Sequence, residues 1–408
     1  MPSTRKHRWL LFITLLFLTP SGKGLAAERL TVTPRLAVGW QVDDNFYKAE
    51  AIDREVSTFL VQPGVDVGVE TAKALASANL TLNDYTYDDR DPVPSGQQSA
   101  DEDDYTGYTV TLKGIYRPFA RLLLGLEDSH FKTRDPAQSD VFSNSISREE
   151  YTISRVTPQI FYEFGPKFSV GLKYRYTDTD YDVATGEDST EHRGIFDLLY
   201  SFGPRASLDL EYQHWNRDYS LTTSDYSSEQ LNLIFRKEFR YLSLEAGGGY
   251  HNRSFDEKTV EDIDVFTYRV AAIGQNPPAP EPTPRSYIAF AFEQNFNDQG
   301  IGEKYFVARR LSLSAWRVFR ERVIATIELF HQISDYETTT GLTPAGTIEL
   351  REDETSAIFG SLGYIIAHWV TFSITAGYEQ RDSNLAGLSY DNTYGIAKLD
   401  LNYSLGSK

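Results

Sequence analysis

Residues Phe168 to Thr177 read Phe-Ser-Val-Gly-Leu-Lys-Tyr-Arg-Tyr-Thr, and this stretch decides how the chain folds. Every even-numbered position holds an apolar or aromatic side chain, and every odd-numbered position holds a small or polar one. Successive side chains of a β-strand point to opposite faces, so the stretch predicts a strand with one apolar and one polar face. Because the same alternation recurs along most of the chain, the sequence indicates an all-β protein.

Counting the alternating segments predicts about 18 strands, within a range of 16 to 20. The strands are expected to begin near Thr31, Glu55, Lys73, Asp104, Ala120, Arg148, Lys167, Ser189, Ala206, Tyr226, Leu242, Asp264, Arg285, Lys304, Arg322, Glu354, Trp369 and Ser389. An even number lets the last strand pair antiparallel with the first, which leaves no open edge. Two segments fit less well, the strand around Pro63 and the strand from Tyr305 to Trp316 with Arg309 on its apolar side, and we expect a β-bulge in each.

The predicted connections alternate between short and long. Short turns carry aromatic residues, as in Phe164-Gly165-Pro166-Lys167, whereas the long ones are acidic or rich in Ser, Thr and Gly, as in Thr133 to Ser147. This asymmetry is typical of a transmembrane up-and-down β-barrel of the bacterial outer membrane. A soluble propeller or sandwich would also alternate along its strands, but it needs neither membrane-crossing strand length nor alternating loop lengths.

Composition excludes several classes of function. The 408 residues include 58 Asp and Glu against 40 Lys and Arg, which gives a formal charge of −18 and argues against a nucleic-acid binder. The chain has no Cys, so it has no disulfide, no Cys-ligated metal and no thiol nucleophile. Aromatic residues reach 13%. Such a chain is too aromatic for disorder, and a mean hydropathy of −0.41 is too polar for a helical membrane protein.

The first 27 residues are predicted to be a secretory signal peptide. Arg5, Lys6 and Arg8 precede the short apolar run from Trp9 to Thr19, and small residues follow at Gly24 to Ala27. The apolar run is too short to cross a bilayer. Residues 1–27 hold four positive charges and no negative one, so the mature chain would carry −22. Residues 28–408 are then expected to form a single barrel domain in the outer membrane.

No catalytic constellation is apparent in the sequence. The histidines after residue 27 are His130, His192, His214, His251, His331 and His368. Neither these nor other residues show the spacing of a nucleophile with its base, of metal ligands or of a nucleotide-binding loop. We therefore expect no enzymatic activity and no cofactor, and the sequence leaves metal binding open.

The polar faces of the strands would line the lumen, and they hold charges of both signs. These suit either a water-filled channel or a lumen closed by ion pairs. Candidate solute contacts are the basic residues Arg121, Lys173, Arg175 and Arg193, with Trp215 and Tyr85 as rings on which a sugar could stack. Plain lumen solvation or an ion pair is the favoured interpretation for each single residue, because the lumen face of a pore is polar in any case. A loop folded inward could narrow the lumen, and the longest candidates are Asp88 to Asp104 and Ser334 to Glu354.

Several short stretches resemble one family of outer-membrane barrels. They are Thr31 to Leu36, Val42 to Tyr47, Tyr174 to Tyr181 and Tyr212 to Ser220. In these stretches the chain is similar to the beta-barrel porin 2 family and to the barrels associated with exopolysaccharide secretion. The resemblance implies a conduit or accessory for surface-polysaccharide export, with polysaccharide and periplasmic export components as partners beside outer-membrane lipid and lipopolysaccharide.

Two further functions stay open from the sequence. The barrel could be a general or specific porin for nutrient uptake, or a structural, surface-anchoring barrel whose acidic loops, such as Asp101 to Asp104, bridge lipopolysaccharide through divalent cations. One predicted periplasmic connection is rich in proline and would be stiff and extended. One interpretation is that this connection binds a partner protein of an export complex through Pro277, Pro278, Pro280, Pro282 and Pro284. The other is that it is a plain linker that only joins two hairpins.

Overall fold

The chain forms a closed barrel of 18 antiparallel strands in the computed structural model. The structure describes residues 29–51, 53–135, 140–143, 145–146, 148–183, 186–221, 223–258, 261–277, 285–297 and 305–406. The strands are β1 (Arg29–Asp43), β2 (Val56–Glu70), β3 (Ala74–Asp89), β4 (Tyr105–Phe119), β5 (Leu122–Thr133), β6 (Tyr151–Glu163), β7 (Phe168–Tyr181), β8 (Ser189–Gly203), β9 (Ala206–Tyr219), β10 (Tyr226–Glu238), β11 (Leu242–Phe255), β12 (Ile263–Asn276), β13 (Ser286–Phe296), β14 (Phe306–Phe319), β15 (Val323–Leu342), β16 (Ile348–Ala367), β17 (Val370–Ser383) and β18 (Tyr390–Asn402). A two-residue strand, β19 (Leu405–Gly406), follows β18 and pairs with β1.

Each strand pairs with its neighbours in the chain, and β1 also pairs with β18. Asp43 stands opposite Tyr394 in that last pairing, which closes the sheet. Closure satisfies the backbone hydrogen bonds that an edge strand would leave open. The predicted strand number and closure are confirmed. The predicted starts lie within three residues of the observed ones, except that β16 begins at Ile348 rather than near Glu354.

The outer surface of the barrel is apolar, as the alternation predicts. In β7 the side chains of Leu172 and Tyr174 are 52% and 46% exposed, while Thr177 on the opposite face is buried. The same holds around the sheet, with Leu231, Leu362 and many other large apolar side chains exposed. In a single-layer barrel an exposed apolar side chain must face outward, because the polar set of each strand then fills the interior. The interior of the barrel is therefore polar, and its outer surface is apolar.

Neither of the two expected bulges is present. Val61 pairs with Asp84 and Gly64 with Thr81, so the register continues across Pro63 even though proline donates no hydrogen bond. The pairing of β13, β14 and β15 likewise runs without a shift, and Arg309 on the outer face forms an ion pair with Asp335 at 2.8 Å. That ion pair lets a charge occupy the outer face near the long-loop end without a break in the strand. The register instead shifts in four other pairings: β4 with β5, β8 with β9, β15 with β16, and β16 with β17.

Two predictions fall on residues outside the described ranges. The signal peptide, residues 1–27, lies wholly outside them, and so do Pro278, Pro280, Pro282 and Pro284 of the proline-rich connection. Pro277 directly follows the end of β12. The described part of the chain holds no helix of the length and apolarity that a membrane span requires.

Candidate functional site

The interior wall of β7 and β8 carries three of the predicted basic contacts. Lys173, Arg175 and Arg193 all point inward, as their strand positions predict. Lys173 forms an ion pair with Asp197 at 2.9 Å. Arg175 and Arg193 both contact Glu191, at 2.8 and 3.0 Å. These cations are therefore part of an ion-pair network on the lumen wall, with side-chain exposures of 34%, 21% and 11% in that order.

The two other polar candidates differ in their positions. Arg121 does not lie on the lumen wall, because it sits in the two-residue turn between β4 and β5 and is exposed there. The alternating pattern could not separate a turn residue from the first strand residue. Tyr85 does point inward, and its ring stacks on Tyr105 with centroids 4.8 Å apart. Tyr85 thus lies in an aromatic cluster near the long-loop end of the barrel.

Trp215 points inward but is buried, with 2% of its surface exposed. The guanidinium of Arg193 lies 4.0 Å from the centre of its ring, and the ring of His251 lies 4.9 Å away. Both neighbours cover the indole. Trp215 therefore presents no free face on which a sugar ring could stack, and its expected stacking role is not available in this arrangement.

An alternating chain of charges runs across five neighbouring strands of the wall. Asp209 on β9 contacts Arg236 on β10 at 2.9 Å, and Arg236 contacts Glu245 on β11 at 2.9 Å. Glu245 contacts Arg269 on β12 at 3.1 Å, and Arg269 contacts Glu293 on β13 at 2.7 Å. Arg236, Glu245 and Arg269 each contact one oppositely charged residue on each of the two neighbouring strands. This part of the wall is thus polar and hydrated but nearly neutral.

The two ends of the lumen differ in how far they are filled. Toward the short turns several inward side chains remain accessible, as Arg236 at 38% and Arg269 at 53% show, although Asp209 is buried. Toward the long loops the inward side chains are almost completely covered, with Glu191 and Arg253 at 1% and Asp353 at 0%. The lumen is therefore wide at the short-turn end and constricted at the long-loop end.

The loop after β5 is fixed to its own side of the barrel by charged contacts. Arg134 contacts Asp103 at 2.8 Å and Glu150 at 2.9 Å, and Lys132 contacts Glu150 at 2.6 Å. Burial alone would raise the pKa of Glu150, but the hydrogen bonds and charges of Lys132 and Arg134 outweigh it and hold the pKa below its usual range. Burial and the neighbouring Asp103 raise the pKa of Tyr47, in the loop after β1, to about 12. These contacts join three loops at one side of the mouth.

The same loop then reaches the opposite wall. Gln332 Nε2 on β15 donates to the carbonyl of Phe142 at 2.8 Å, and Arg310 Nη1 on β14 donates to the carbonyl of Val141 at 2.9 Å. The ring of Phe142 packs against three buried side chains: Phe306, Ala308 and Tyr336. In an 18-strand ring, β14 is nine positions from β5 in either direction. The described residues of the loop between β5 and β6 (134–135, 140–143, 145–146 and 148–150), which we call the crossing loop, therefore contact both sides of the lumen.

The two loops that were expected to narrow the lumen do not cross it. In the first, Ala100 packs against Phe46, Val56 and Tyr87, so residues 90–104 fold back over the strands beside them. Most of the second is not a loop, because β15 and β16 continue to Leu342 and Ile348 and form a hairpin that extends past the neighbouring strands. The prediction that these two loops could narrow the lumen rested on their length alone. The crossing loop reaches the far wall because its apolar residue Phe142 packs into a pocket there.

The histidines do not form a common site. His130 lies on the outer face, where it is bonded to Tyr108 at 2.8 Å and to Ser154 at 2.6 Å, and His368 lies in the turn after β16. His251 points inward beside Trp215. Among the residues that the structure describes, no three of His, Asp and Glu come together in a way that could hold a metal ion.

Comparison with known proteins finds neither a matching family model nor a curated relative. Several solved structures are similar in fold. The Pseudomonas aeruginosa protein OpdK, solved with vanillate, is 11% identical with a TM-score of 0.47, over 92% of this chain and 99% of OpdK. OccK7 (OpdD) of the same organism is 10% identical with a TM-score of 0.49, over 93% and 100%. Acinetobacter baumannii OccAB2 is 11% identical with a TM-score of 0.48, over 94% and 100%. Likeness at this level carries no argument about what the chain does.

Proposed function

We propose that the protein is a channel of the bacterial outer membrane through which small hydrophilic solutes cross, as through a porin for nutrient uptake. The observation that carries the proposal is the polar lumen, which is open at the short-turn end and narrowed by a loop docked on the opposite wall. A barrel of this strand number leaves a water-filled interior unless something occupies it. In this barrel the crossing loop occupies part of the mouth.

The outer surface supports a membrane location. Large apolar side chains cover it, for example Leu172, Leu231 and Ile374 at 52%, 48% and 56% exposure. Aromatic residues such as Phe119 and Phe164 stand at the short turns, at 70% and 64% exposure. An apolar band flanked by aromatic residues matches a bilayer and would be unstable in water. Outer-membrane lipid and lipopolysaccharide are the neighbours we propose for this band.

The geometry favours a small solute over a polysaccharide chain. A polymer needs a continuous passage along the whole barrel, whereas the crossing loop bonds to both sides of the lumen through Arg134 and Phe142. Opening that passage would break an ion-pair cluster and unseat a buried aromatic ring. We find no contact in the described residues that favours a polysaccharide over a smaller hydrophilic molecule, and therefore propose the nutrient porin ahead of the export conduit.

The acidic stretch Asp101 to Asp104 gives the surface-anchoring function little support. Asp103 contacts Arg134 at 2.8 Å and accepts a hydrogen bond from Tyr47 at 3.0 Å. Asp104 accepts a hydrogen bond from the backbone N–H of Tyr87 at 2.7 Å. Glu102 also accepts a hydrogen bond from Gln98 Nε2 at 3.0 Å. Three of the four carboxylates thus contact the loops and strands beside them, which leaves fewer to bridge lipopolysaccharide through a cation.

Liposome swelling and bilayer conductance test the channel directly. Liposomes with the purified full chain should swell in monosaccharide solutions, more slowly as the sugar grows, and not in dextran. Swelling in dextran at the monosaccharide rate would favour the polymer conduit instead. Liposomes that fail to swell in any sugar, with no bilayer current from the wild type or from a Phe142→Ala variant that frees the crossing loop, would overturn the proposal.

A further inference from the structure

Two neighbouring rows of inward side chains on β7 to β11 are unusually rich in arginine. Strand register places these residues side by side in the first row: Thr177, Glu191, Arg217 and Tyr226. It places these in the second row: Arg175, Arg193, Trp215, Ser228 and Arg253. We call these nine residues the arginine patch. They contain four guanidinium groups and one carboxylate, so the patch has a formal charge of +3.

The single carboxylate is shared by three of the arginines. Glu191 contacts Arg175 at 2.8 Å, Arg193 at 3.0 Å and Arg217 at 3.3 Å. One negative charge therefore stands among three positive ones at the constricted end of the lumen. Charge of one sign in a partly enclosed wall raises the local concentration of oppositely charged solutes.

The fourth arginine is buried with neutral neighbours. Arg253 is 1% exposed; its Nε donates to Ser228 Oγ at 3.2 Å, and its two terminal nitrogens both reach the carbonyl of Asn297 at 3.4 Å. The guanidinium lies 4.2 Å from the ring centre of Tyr226 and 5.1 Å from that of Phe296. No carboxylate of the described residues contacts it. A buried guanidinium is strongly stabilised by an oxyanion and only weakly by one distant carbonyl.

Three more buried polar groups in the patch have no hydrogen-bond partner within the described chain. They are the indole N–H of Trp215 and the hydroxyls of Thr177 and Tyr226, and all three residues are 2% exposed. The indole N–H can only donate, and the hydroxyls can donate. Buried donors without an acceptor are costly, and native structures rarely leave them so. Together with Arg253 they make this part of the wall rich in donors and poor in acceptors.

On the opposite wall, two ion pairs each join one cation to one carboxylate. Around β16 to β18, Lys48 contacts Glu379 at 2.7 Å and Lys398 contacts Asp400 at 3.0 Å. The charge chain from Asp209 to Glu293 is also paired throughout. The arginine patch differs from these regions in that three of its four guanidinium groups share a single carboxylate.

We propose that the arginine patch is a binding station for the oxyanion group, a carboxylate or a phosphate, of a solute that passes through the channel. The inference rests on the proposed channel function and names its substrate class. An anion entering from the open half first meets Lys173 and Arg175, which are 34% and 21% exposed. Arginine binds such groups through paired charge-assisted hydrogen bonds. Arg253 and the indole of Trp215 supply donors deeper in the wall.

Single-channel recording with acetate and with inorganic phosphate tests the station. In the wild type we expect anion selectivity in a KCl gradient and discrete interruptions of the current by at least one of the two anions. Interruptions by acetate but not by phosphate would identify a carboxylate site. Interruptions by phosphate but not by acetate would identify a site for an oxyanion of higher charge. Arg253→Gln should shorten these interruptions by roughly tenfold, the loss of one charge-assisted contact. If Arg253→Gln does not fold, Arg175→Gln, which removes a more accessible arginine of the patch, provides the same test and should also shorten the interruptions.

Lys398→Gln is the matched control, because it removes the same charge from an ion pair on the opposite wall. It should leave the duration of the interruptions unchanged. The proposal is overturned if neither anion interrupts the wild-type current, or if Arg253→Gln, Arg175→Gln and Lys398→Gln shorten the interruptions equally. In both of those outcomes the channel still conducts, so the proposed function survives; absence of current and of swelling would instead remove the proposed function.

Discussion

The side-chain amide of Gln332 donates a hydrogen bond of 2.8 Å to the backbone carbonyl of Phe142, and the two residues belong to opposite sides of the barrel. Gln332 lies on β15 and is 1% exposed, whereas Phe142 lies in the crossing loop. A carbonyl buried in a wall needs a donor there, so this bond fixes where the loop can dock. The width of the lumen is therefore set by a contact between two elements that are distant in sequence.

The docking contact predicts how the channel would widen. Phe142→Ala removes the ring that packs with Phe306 and Tyr336, and such a truncation costs about 3 to 5 kcal/mol in a packed site. We expect the crossing loop to leave the wall, with larger single-channel conductance and faster swelling in larger sugars. Phe119→Ala, at an exposed turn, is the control and should conduct like the wild type. Equal conductance in all three proteins would show that the loop does not limit the current.

The near-side contacts predict an acid sensitivity of the crossing loop. The pKa of Glu150 is held below its usual value in the folded protein, so the ionised carboxylate adds stability above the ordinary pKa. That stability is lost as the pH falls through the lowered pKa. Open-channel current noise should therefore rise below about pH 4, near the usual range for Glu, and be steady at neutral pH.

Glu150→Gln separates this effect from general acid unfolding. The variant cannot form the charged contacts with Lys132 and Arg134 at any pH, so its current should be noisy at neutral pH and change little on acidification. A variant that behaves as the wild type at both pH values would contradict the assignment to Glu150.

The pair Arg54 and Asp89 predicts a weak point of the mouth. Their side chains are 5% and 9% exposed and lie 2.6 Å apart, and Asp89 also accepts a hydrogen bond from the backbone N–H of Ala100. Arg54→Ala leaves a buried carboxylate without its cation, which costs about 3 to 5 kcal/mol. Residues 90–104 should then become sensitive to protease in the folded barrel. Arg90→Ala, which breaks an exposed pair with Glu55, should cost less than about 1 kcal/mol and give no such cleavage.

The orientation of the strands predicts opposite outcomes for two neighbouring residues of β16. Leu362 is 63% exposed on the outer face, whereas Ser361 points inward and its hydroxyl accepts a hydrogen bond from Thr375 Oγ1 at 3.0 Å. Leu362→Arg should lower stability in lipid by about 2 to 4 kcal/mol if the residue lies near the middle of the bilayer, while Ser361→Arg should fold normally. Urea titration of the folded band on a gel, in lipid vesicles, measures both. A larger loss of stability for Ser361→Arg than for Leu362→Arg would place β16 the other way round.

The sequence predicts strand number, strand faces and closure because one period of two runs through the whole chain. Lys173, Arg175 and Arg193 lie on the lumen wall for that reason. A period of two assigns a face but not a depth, so it does not reveal that Trp215 is covered by Arg193 and His251. It also cannot reveal the crossing loop, whose docking depends on the fit of Phe142 to a pocket formed by strands far along the chain. Glu191 and Arg253 follow the lumen pattern, but only strand register brings them into one patch.

The pairing of β1 with β18 determines when the barrel can be completed. Asn45 and Asn392, which bond across this seam, are 347 residues apart, while most neighbouring strands are joined by a few residues. Contacts of such sequence separation have a high closure entropy and form late. Until then β1 and β18 expose unpaired backbone to their surroundings. The seam is therefore the expected rate-limiting step of assembly, and a chain that ends before β18 would keep two open edges instead of a pore.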